Sequence, residues 1–452
     1  MILPTFILVV VGLIALSHSQ EAVRPYMGWS SWSLQATTMP GHGLSWLKED
    51  NVLRQIDVMA ATLKDFGYTY INIDSGWNAD FDWNAGFDLN GRPIPNPARF
   101  PRGIDFVANY AHERGLKLGI YAPVGLPMGV FGSDQDNKVN FDVSGPSGNC
   151  TGFDLVYPDF RVTNGWDSSY KMDFDNSCAQ EFIDSIAELF VQWEIDFFKL
   201  DGVGPGSWKN GSNYDNRPDV AAWRSAFDKT GRSVILEISW ELDITFIADW
   251  TASASGWRID TDVECYCDTL VRWTQSVVQR FDDIVPWIDH AGPGRWNDLD
   301  TINVGNGTMD GLTEDERRSY MTLWAISSAP LYIGDDLSLL DEFGLTLLTN
   351  REVISINQDG VPARPVSPGV AQQVWWSPNI GDAVPSFIVG LFNLAEQEET
   401  VAANWVDFGF SGAANVRDVW AGLELGVYTG SYAVRVPTHG CRLIRVTPLA
   451  SY

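Results

Sequence analysis

From about residue 26 to residue 357, short apolar runs alternate with stretches of helical period. The runs are YMGWSSW (26–32), YTYINID (68–74), LKLGIYA (116–122), FFKLD (197–201), SVILEIS (233–239), GWRIDTD (256–262), RWNDLD (295–300) and LYIGDD (331–336). Parallel strands buried on both faces read in this way, as near-continuous apolar segments rather than strict alternation. Between the first two runs, Val52, Ile56, Met59, Ala60, Leu63 and Phe66 recur at helical spacing on one face. The helix before LKLGIYA is expected to stop at Gly115, since glycine accepts the left-handed conformation that ends helices. Eight strand–helix alternations predict an α/β fold, a (β/α)8 TIM barrel, over residues 24–357. After residue 358 the helical period disappears. VAQQVWW, SFIVGLFNL, VRDVWAG and YAVRVPTHGCRLIRVTP alternate between turn residues, which predicts a C-terminal antiparallel β-sandwich over 358–452. That domain reads as structural, with auxiliary sugar binding as the other reading.

Within the barrel pattern the polar positions stand out. Asp74, Asp201, Asp262, Asp300 and Asp336 are each expected at the last residue of a strand, the end where barrels carry their chemistry. A single such aspartate reads equally well as a helix N-cap, but five equivalent placements exceed what capping explains. Lys199 and Asp201, two apart on one strand, project the same way, as do Arg258, Asp260 and Asp262 on another. A neighbouring cation favours the ionised carboxylate. The segment 123–177 is far longer than a usual βα connection, and it leaves the third strand at its C-terminal end. It is therefore expected to cover the mouth of the barrel.

Composition narrows the chemistry. The chain has 452 residues with 58 Asp and Glu against 30 Lys and Arg, a net charge of −28, which argues against nucleic acid and anionic membranes as partners. It leaves the oligomeric state open. The apolar run 6–16 followed by Ser17, His18 and Ser19 has the form of a secretory signal peptide (1–19), too short to span a bilayer, so an extracellular location is expected. Export permits disulfides. Cys150 with Cys178 would close one long loop, Cys265 could bridge Cys267 across Tyr266, and Cys441 is left over. Asn149, Asn210 and Asn306 head glycosylation sequons. Five histidines, none at ligand spacing to a cysteine pair, argue against zinc, and no phosphate-binding glycine loop is present. Carboxylates at a barrel mouth, a partnering lysine and arginine, and 20 Trp with 14 Tyr point to sugar chemistry without a cofactor or metal. Core packing for most tryptophans, and a structural ion-pair ring for the charges, are the alternatives.

A resemblance sharpens this. YMGWSSW (26–32), YTYINIDSGW (68–77), FPRGIDFVANYAHERGLKLGIYA (100–122), FFKLDG (197–202), GWRIDTD (256–262), AGPGRWNDLDTINVGNG (291–307) and MTLWAISSAPLYIGDDL (321–337) resemble, in order, the strand motifs of glycoside hydrolase family 27, the α-galactosidase family. The segments RDVW and PTHG of the sandwich are similar too. The resemblance implies a retaining exo-acting enzyme that releases terminal α-linked galactose. In it Asp201 is the nucleophile and Asp262 the acid/base, about 5 to 5.5 Å apart. By the same resemblance Trp32, Asp74, Tyr121, Lys199 and Arg258 hold the first sugar, and Asp300 stands near it. Two departures bear on specificity. Where the family usually has a second aspartate after Asp74, this chain has Ser75, and where it has Glu-Trp, this chain has Ser239-Trp240. The first weakens recognition at C4 and C6 and suggests a dextran-directed, isomalto-dextranase-like activity as an alternative. The second leaves room for an N-acetyl group, as in an α-N-acetylgalactosaminidase. A secreted carbohydrate-binding protein without activity is the non-enzyme alternative. Family cysteines near the second and fourth strands are replaced by Gly76 and Val203, so disulfides do not carry over from the family.

Overall fold

A computed structural model describes residues 22–78, 86–88, 90–131, 140–141, 150–380 and 385–449. The expected signal peptide and the Asn149 sequon lie outside the described residues. Each predicted barrel run contains a strand: β1 (Met27–Ser30), β2 (Tyr70–Ile73), β3 (Lys117–Pro123), β4 (Phe197–Asp201), β5 (Ile235–Ile238), β6 (Gly256–Arg258), β7 (Trp296–Asp298) and β8 (Leu331–Ile333). All pair in parallel in the order β7-β6-β5-β4-β3-β2-β1-β8. The ring closes where Ile302, just past β7, bridges in parallel to Ile333 of β8. These strands are short and buried on both faces, which is why they read as apolar runs.

One end of the barrel interior is plugged by Tyr26, Tyr70, Phe197, Ile235, Trp296 and Tyr332, packed together in one buried cluster. Glycine makes the room: a Cβ at Gly119 would come within 2.8 Å of the Phe197 ring. Outside, Val52, Ile56, Met59 and Leu63 are fully buried against the sheet, in and just after the helix Glu49–Thr62. The helix Ile104–His112 ends earlier than expected, and Gly115 takes its positive φ of 72° three residues beyond it.

The five aspartates are not at equivalent positions. Only Asp201 is the last residue of its strand; β2, β6, β7 and β8 stop at Ile73, Arg258, Asp298 and Ile333, so the other four lie in the loops beyond. Loop geometry, not strand phase, then aims each one. Asp260 turns to Arg280 instead of following Arg258. Asp336 is a cap: its side chain accepts from the Ser338 amide and from Gln55 at 2.8 Å.

The segment 123–177 folds into small antiparallel pieces. Leu126–Pro127, Ser169–Tyr170 and Val162–Thr163 form one sheet, and Asn140–Phe141 pairs with Cys150–Thr151. A Cys150–Cys178 disulfide ties it to the first turn of the helix Ser177–Gln192. Past the helix Arg351–Gln358 come β9 (Arg364–Pro365), β10 (Gln372–Asn379), β11 (Ser386–Asn393), β12 (Glu399–Asn404), β13 (Ala413–Asp418), β14 (Leu423–Thr429), β15 (Ser431–Val436) and β16 (Cys441–Pro448). They make a sheet in the order β9-β10-β11-β16-β13-β14 and a β12-β15 pair, sandwiching Val389, Leu391, Trp405, Val416 and Val446. Among the described residues no helix is long and apolar enough to cross a membrane.

Candidate active site

The loops at the C-terminal ends of the barrel strands enclose a cavity of about 660 Å³. Trp32, Asp74, Tyr121, Lys199, Asp201, Trp240 and Asp262 all line it, together with Ser75. β4 sets the first half of the site. Lys199 and Asp201 alternate with the apolar Phe198 and Leu200, which face the outer helices, so ammonium and carboxylate share the inner face. The Lys199 Nζ donates to Asp74 Oδ2 at 2.8 Å and lies 3.9 Å from Asp201 Oδ2. Burial opposes its charge, but Asp74 and Asp201 hold the ammonium well above the usual lysine range. Asp201 is pushed up to about 6, because burial and the nearby carboxylates of Asp74 and Asp262 outweigh the pull of Lys199.

The second half stands beyond β6. Arg258 donates to Asp262 Oδ1 at 3.0 Å and pairs with Asp300 at 2.8 Å. Asp300 in turn accepts from the Val263 amide at 2.7 Å, fixing the loop that carries Asp262. Burial pushes Asp262 up, yet Arg258, Lys199 and the Tyr266 hydroxyl together bring it below the ordinary carboxylate range. Tyr266 donates to Asp262 Oδ2 and accepts from Trp32 Nε1 at 3.3 Å. The Cys265–Cys267 disulfide brackets it. Glu264, buried and bonded by the Ser33 hydroxyl, is held well above the ordinary range by burial, Asp300 and Asp262. Deeper in the barrel, burial and Asp298 do the same to Glu237. Carboxylates thus outnumber the cations Lys199 and Arg258, and burial with neighbouring carboxylates biases the two glutamates toward their neutral forms.

Of the residues expected at or near the first sugar, Arg258, Asp300 and Ser239 do not line this cavity. Arg258 and Asp300 instead line a small polar pocket with Lys199, Glu237 and Asp298. Ser239 is buried behind the wall at 1% exposure, without a hydrogen-bond partner of good geometry, and close enough to Asp201 to favour its ionised form. The Asn306 sequon is also corrected. Its side chain is buried, donating to the Asp336 carbonyl at 3.0 Å and accepting from the Asp336 amide at 2.8 Å, so no glycan fits there in the folded chain. Asn210 is exposed. The sequence reading missed Trp166, Trp208, Glu264 and Tyr266, all of which line the cavity.

The chain matches the family model described as alpha galactosidase A over residues 24–144 and 168–359, and the alpha galactosidase C-terminal beta sandwich domain over 370–446. It belongs to glycoside hydrolase family 27. Alpha-galactosidase 3 of Arabidopsis thaliana is 30% identical to this family 27 chain over 438 residues, covering 94% of it and 82% of the relative. The alpha-N-acetylgalactosaminidase of Mus musculus is 30% identical over 349 residues, 74% and 68% of the two chains. A family 27 β-L-arabinopyranosidase from Geobacillus stearothermophilus has a solved structure that superimposes with a TM-score of 0.82 at 28% identity, covering 96% and 99% of the two chains. The family 27 chain is thus a glycoside hydrolase, with a carbohydrate substrate.

Proposed function

We propose that the chain releases terminal α-linked galactose from oligo- or polysaccharides with retention of configuration. The observation that carries this reading is the convergence on one cavity of two carboxylates, each beside a buried cation: the buried Asp201 near Lys199, and the half-buried Asp262 on Arg258. In this reading the Asp201 carboxylate attacks the anomeric carbon while Asp262 delivers its proton to the departing glycosidic oxygen. Asp262, now ionised, removes a proton from water as that water attacks the glycosyl ester, which frees Asp201. Lys199 and Asp74 present a fixed cation and anion to the sugar hydroxyls, and Tyr121 and Trp32 supply flat walls. Asp201→Asn is expected to abolish turnover while sparing sugar binding. Labelling with a 2-fluorinated galactosyl inhibitor should map to the peptide carrying Asp201; a label on Asp262 instead would reverse the roles.

Two observations favour neighbouring specificities. Ser75 stands in the cavity where a carboxylate is usual, which removes a partner from the C6 hydroxymethyl group. β-L-Arabinopyranose is galactose without that group, and the Geobacillus relative is named for it. Ser239 stands where the family usually has glutamate, and the mouse relative is named for N-acetylgalactosamine, although Ser239 itself lies behind the cavity wall. Hydrolysis rates on the 4-nitrophenyl α-galactoside, α-N-acetylgalactosaminide and β-L-arabinopyranoside, with dextran as a further substrate, separate these readings. Fastest turnover of any but the galactoside would displace the first. We also propose export to an extracellular location, supported by the apolar run 6–16 and by the two disulfides. N-terminal sequencing of the mature protein from culture medium tests it.

A further inference from the structure

The cavity changes character with depth. At its floor Asp74 is 1%, Asp201 7% and Lys199 8% exposed; at its rim Trp166 is 45%, Tyr266 53% and Trp208 71% exposed. An exo-acting enzyme binds its terminal sugar at the charged floor with the glycosidic oxygen toward the opening. Whatever is attached to that oxygen must leave between the three rim aromatics. Tyr266 stands at this opening beside the proposed acid/base, since its hydroxyl donates to Asp262 Oδ2.

These rings are held, not loose. The Asn164 Oδ1 accepts from the amides of Trp166 and Ser168 at 2.9 and 3.2 Å. The Trp166 ring lies over Gly202, next to Asp201, where an added Cβ would meet it at 2.6 Å. Asp167 accepts from Lys209 at 2.6 Å and Tyr214 at 2.7 Å, locking this stretch to the loop that carries Trp208. Trp208 stands edge-on to Trp240 at 4.5 Å. Across the opening, the Cys265–Cys267 bridge brackets Tyr266, and the Cys267 carbonyl accepts from Thr38 N at 2.8 Å and Thr37 Oγ1 at 3.0 Å. Trp166 belongs to residues 145–167, which lie outside the family match, whereas Trp208 and Tyr266 lie within it. Rigid, exposed aromatic faces at a cavity mouth suit a partner with flat apolar C–H faces and hydroxyl edges, which is what a pyranose ring offers.

We propose that Trp166, Trp208 and Tyr266 form a subsite for the sugar to which the terminal galactose is attached, so that α-galactosyl oligosaccharides are the preferred substrates over galactosides of small alcohols or lipids. This rests on the α-galactosidase reading above. The test compares kcat/KM on α-D-galactosyl fluoride, whose leaving group touches no ring, with kcat/KM on melibiose, whose leaving group is glucose. The variants are Trp208→Ala and Trp166→Ala, with circular dichroism and thermal unfolding to confirm the fold. The subsite predicts that melibiose hydrolysis falls about tenfold further than fluoride hydrolysis in each variant, mainly through KM. Equal losses on both substrates, or no loss on either, would overturn it. A wild-type chain that cleaves neither substrate would refute the galactosidase reading itself and the subsite with it.

Discussion

At the scale of single residues the site is a problem in placing one proton. Double displacement needs Asp201 ionised and Asp262 protonated, yet in the free protein Asp201 is pushed up to about 6 and Asp262 is held below its ordinary value. The two carboxylates sense each other, so the active form is the singly protonated pair, whichever oxygen carries the proton at a given instant. Raising the pH through about 6 removes that proton, and lowering the pH through the depressed value adds a second one. A plot of kcat/KM against pH should therefore be a bell with its alkaline limb near 6. Activity sustained to pH 8 would refute this assignment of charges. Tyr266 gives a sharper handle. Asp262 is faced by Arg258, Lys199, Tyr266, Asp300, Glu264 and Asp201, and among these Tyr266 is the neutral donor to its charged form. Tyr266→Phe deletes that hydrogen bond, so the Asp262 pKa rises and the acidic limb moves toward neutral pH while the alkaline limb stays. Unmoved limbs would show that the hydroxyl does not hold Asp262.

At the scale of elements, the inserted segment 123–177 matters because it supplies one wall of the site and is anchored to the barrel by Cys150–Cys178. Closing a loop across 28 residues of separation limits the unfolded chain. Replacing both cysteines with serine should lower stability by roughly 2–4 kcal/mol, read as a drop in the urea midpoint. An unchanged midpoint would mean that the small sheets hold the segment without the bridge. The same scale explains what could be read from the sequence. All eight barrel strands were legible because a strand buried on both faces leaves a continuous apolar run. The pairing of Lys199 with Asp201 was legible because β4 runs through both residues. Beyond the other strands, Asp74 and Asp262 reach the cavity as expected, but the remaining aspartates do not, since loop conformation rather than a period of two directs them. Asp336 became a cap, Asp260 turned to Arg280, and Asp300 went to the small polar pocket. The rim residues Trp166 and Trp208 sit in irregular loops where no periodicity exists to mark them. Tyr266 alone carried a signal, an aromatic residue framed by two cysteines.

At the scale of the whole molecule, the barrel and the sandwich share a core. Trp375, Phe392, Cys441 and Leu443 of the sandwich pack in one continuous apolar cluster with Phe281, Leu323 and Ile326 of the barrel. Phe281 is central: it is 1% exposed and meets Phe392 edge-on at 4.9 Å and Trp375 at 6.3 Å. Polar contacts cross the same boundary. His439 pairs with Glu316 at 2.7 Å, its carbonyl accepts from Ser319 at 2.6 Å, and Trp420 donates to Thr322 at 3.0 Å. A junction built like a domain interior should make the two parts unfold together, since separating them exposes aromatic surface that neither can cover alone. Phe281→Ala leaves a cavity bounded by both domains and is expected to cost about 3–5 kcal/mol. If the core is shared, tryptophan fluorescence and far-ultraviolet circular dichroism should still report one coincident transition in wild type and variant, shifted to lower denaturant in the variant. Separate transitions for barrel and sandwich, with the substitution moving only the first, would show instead that the sandwich is a passenger whose contacts contribute little to holding the active-site scaffold.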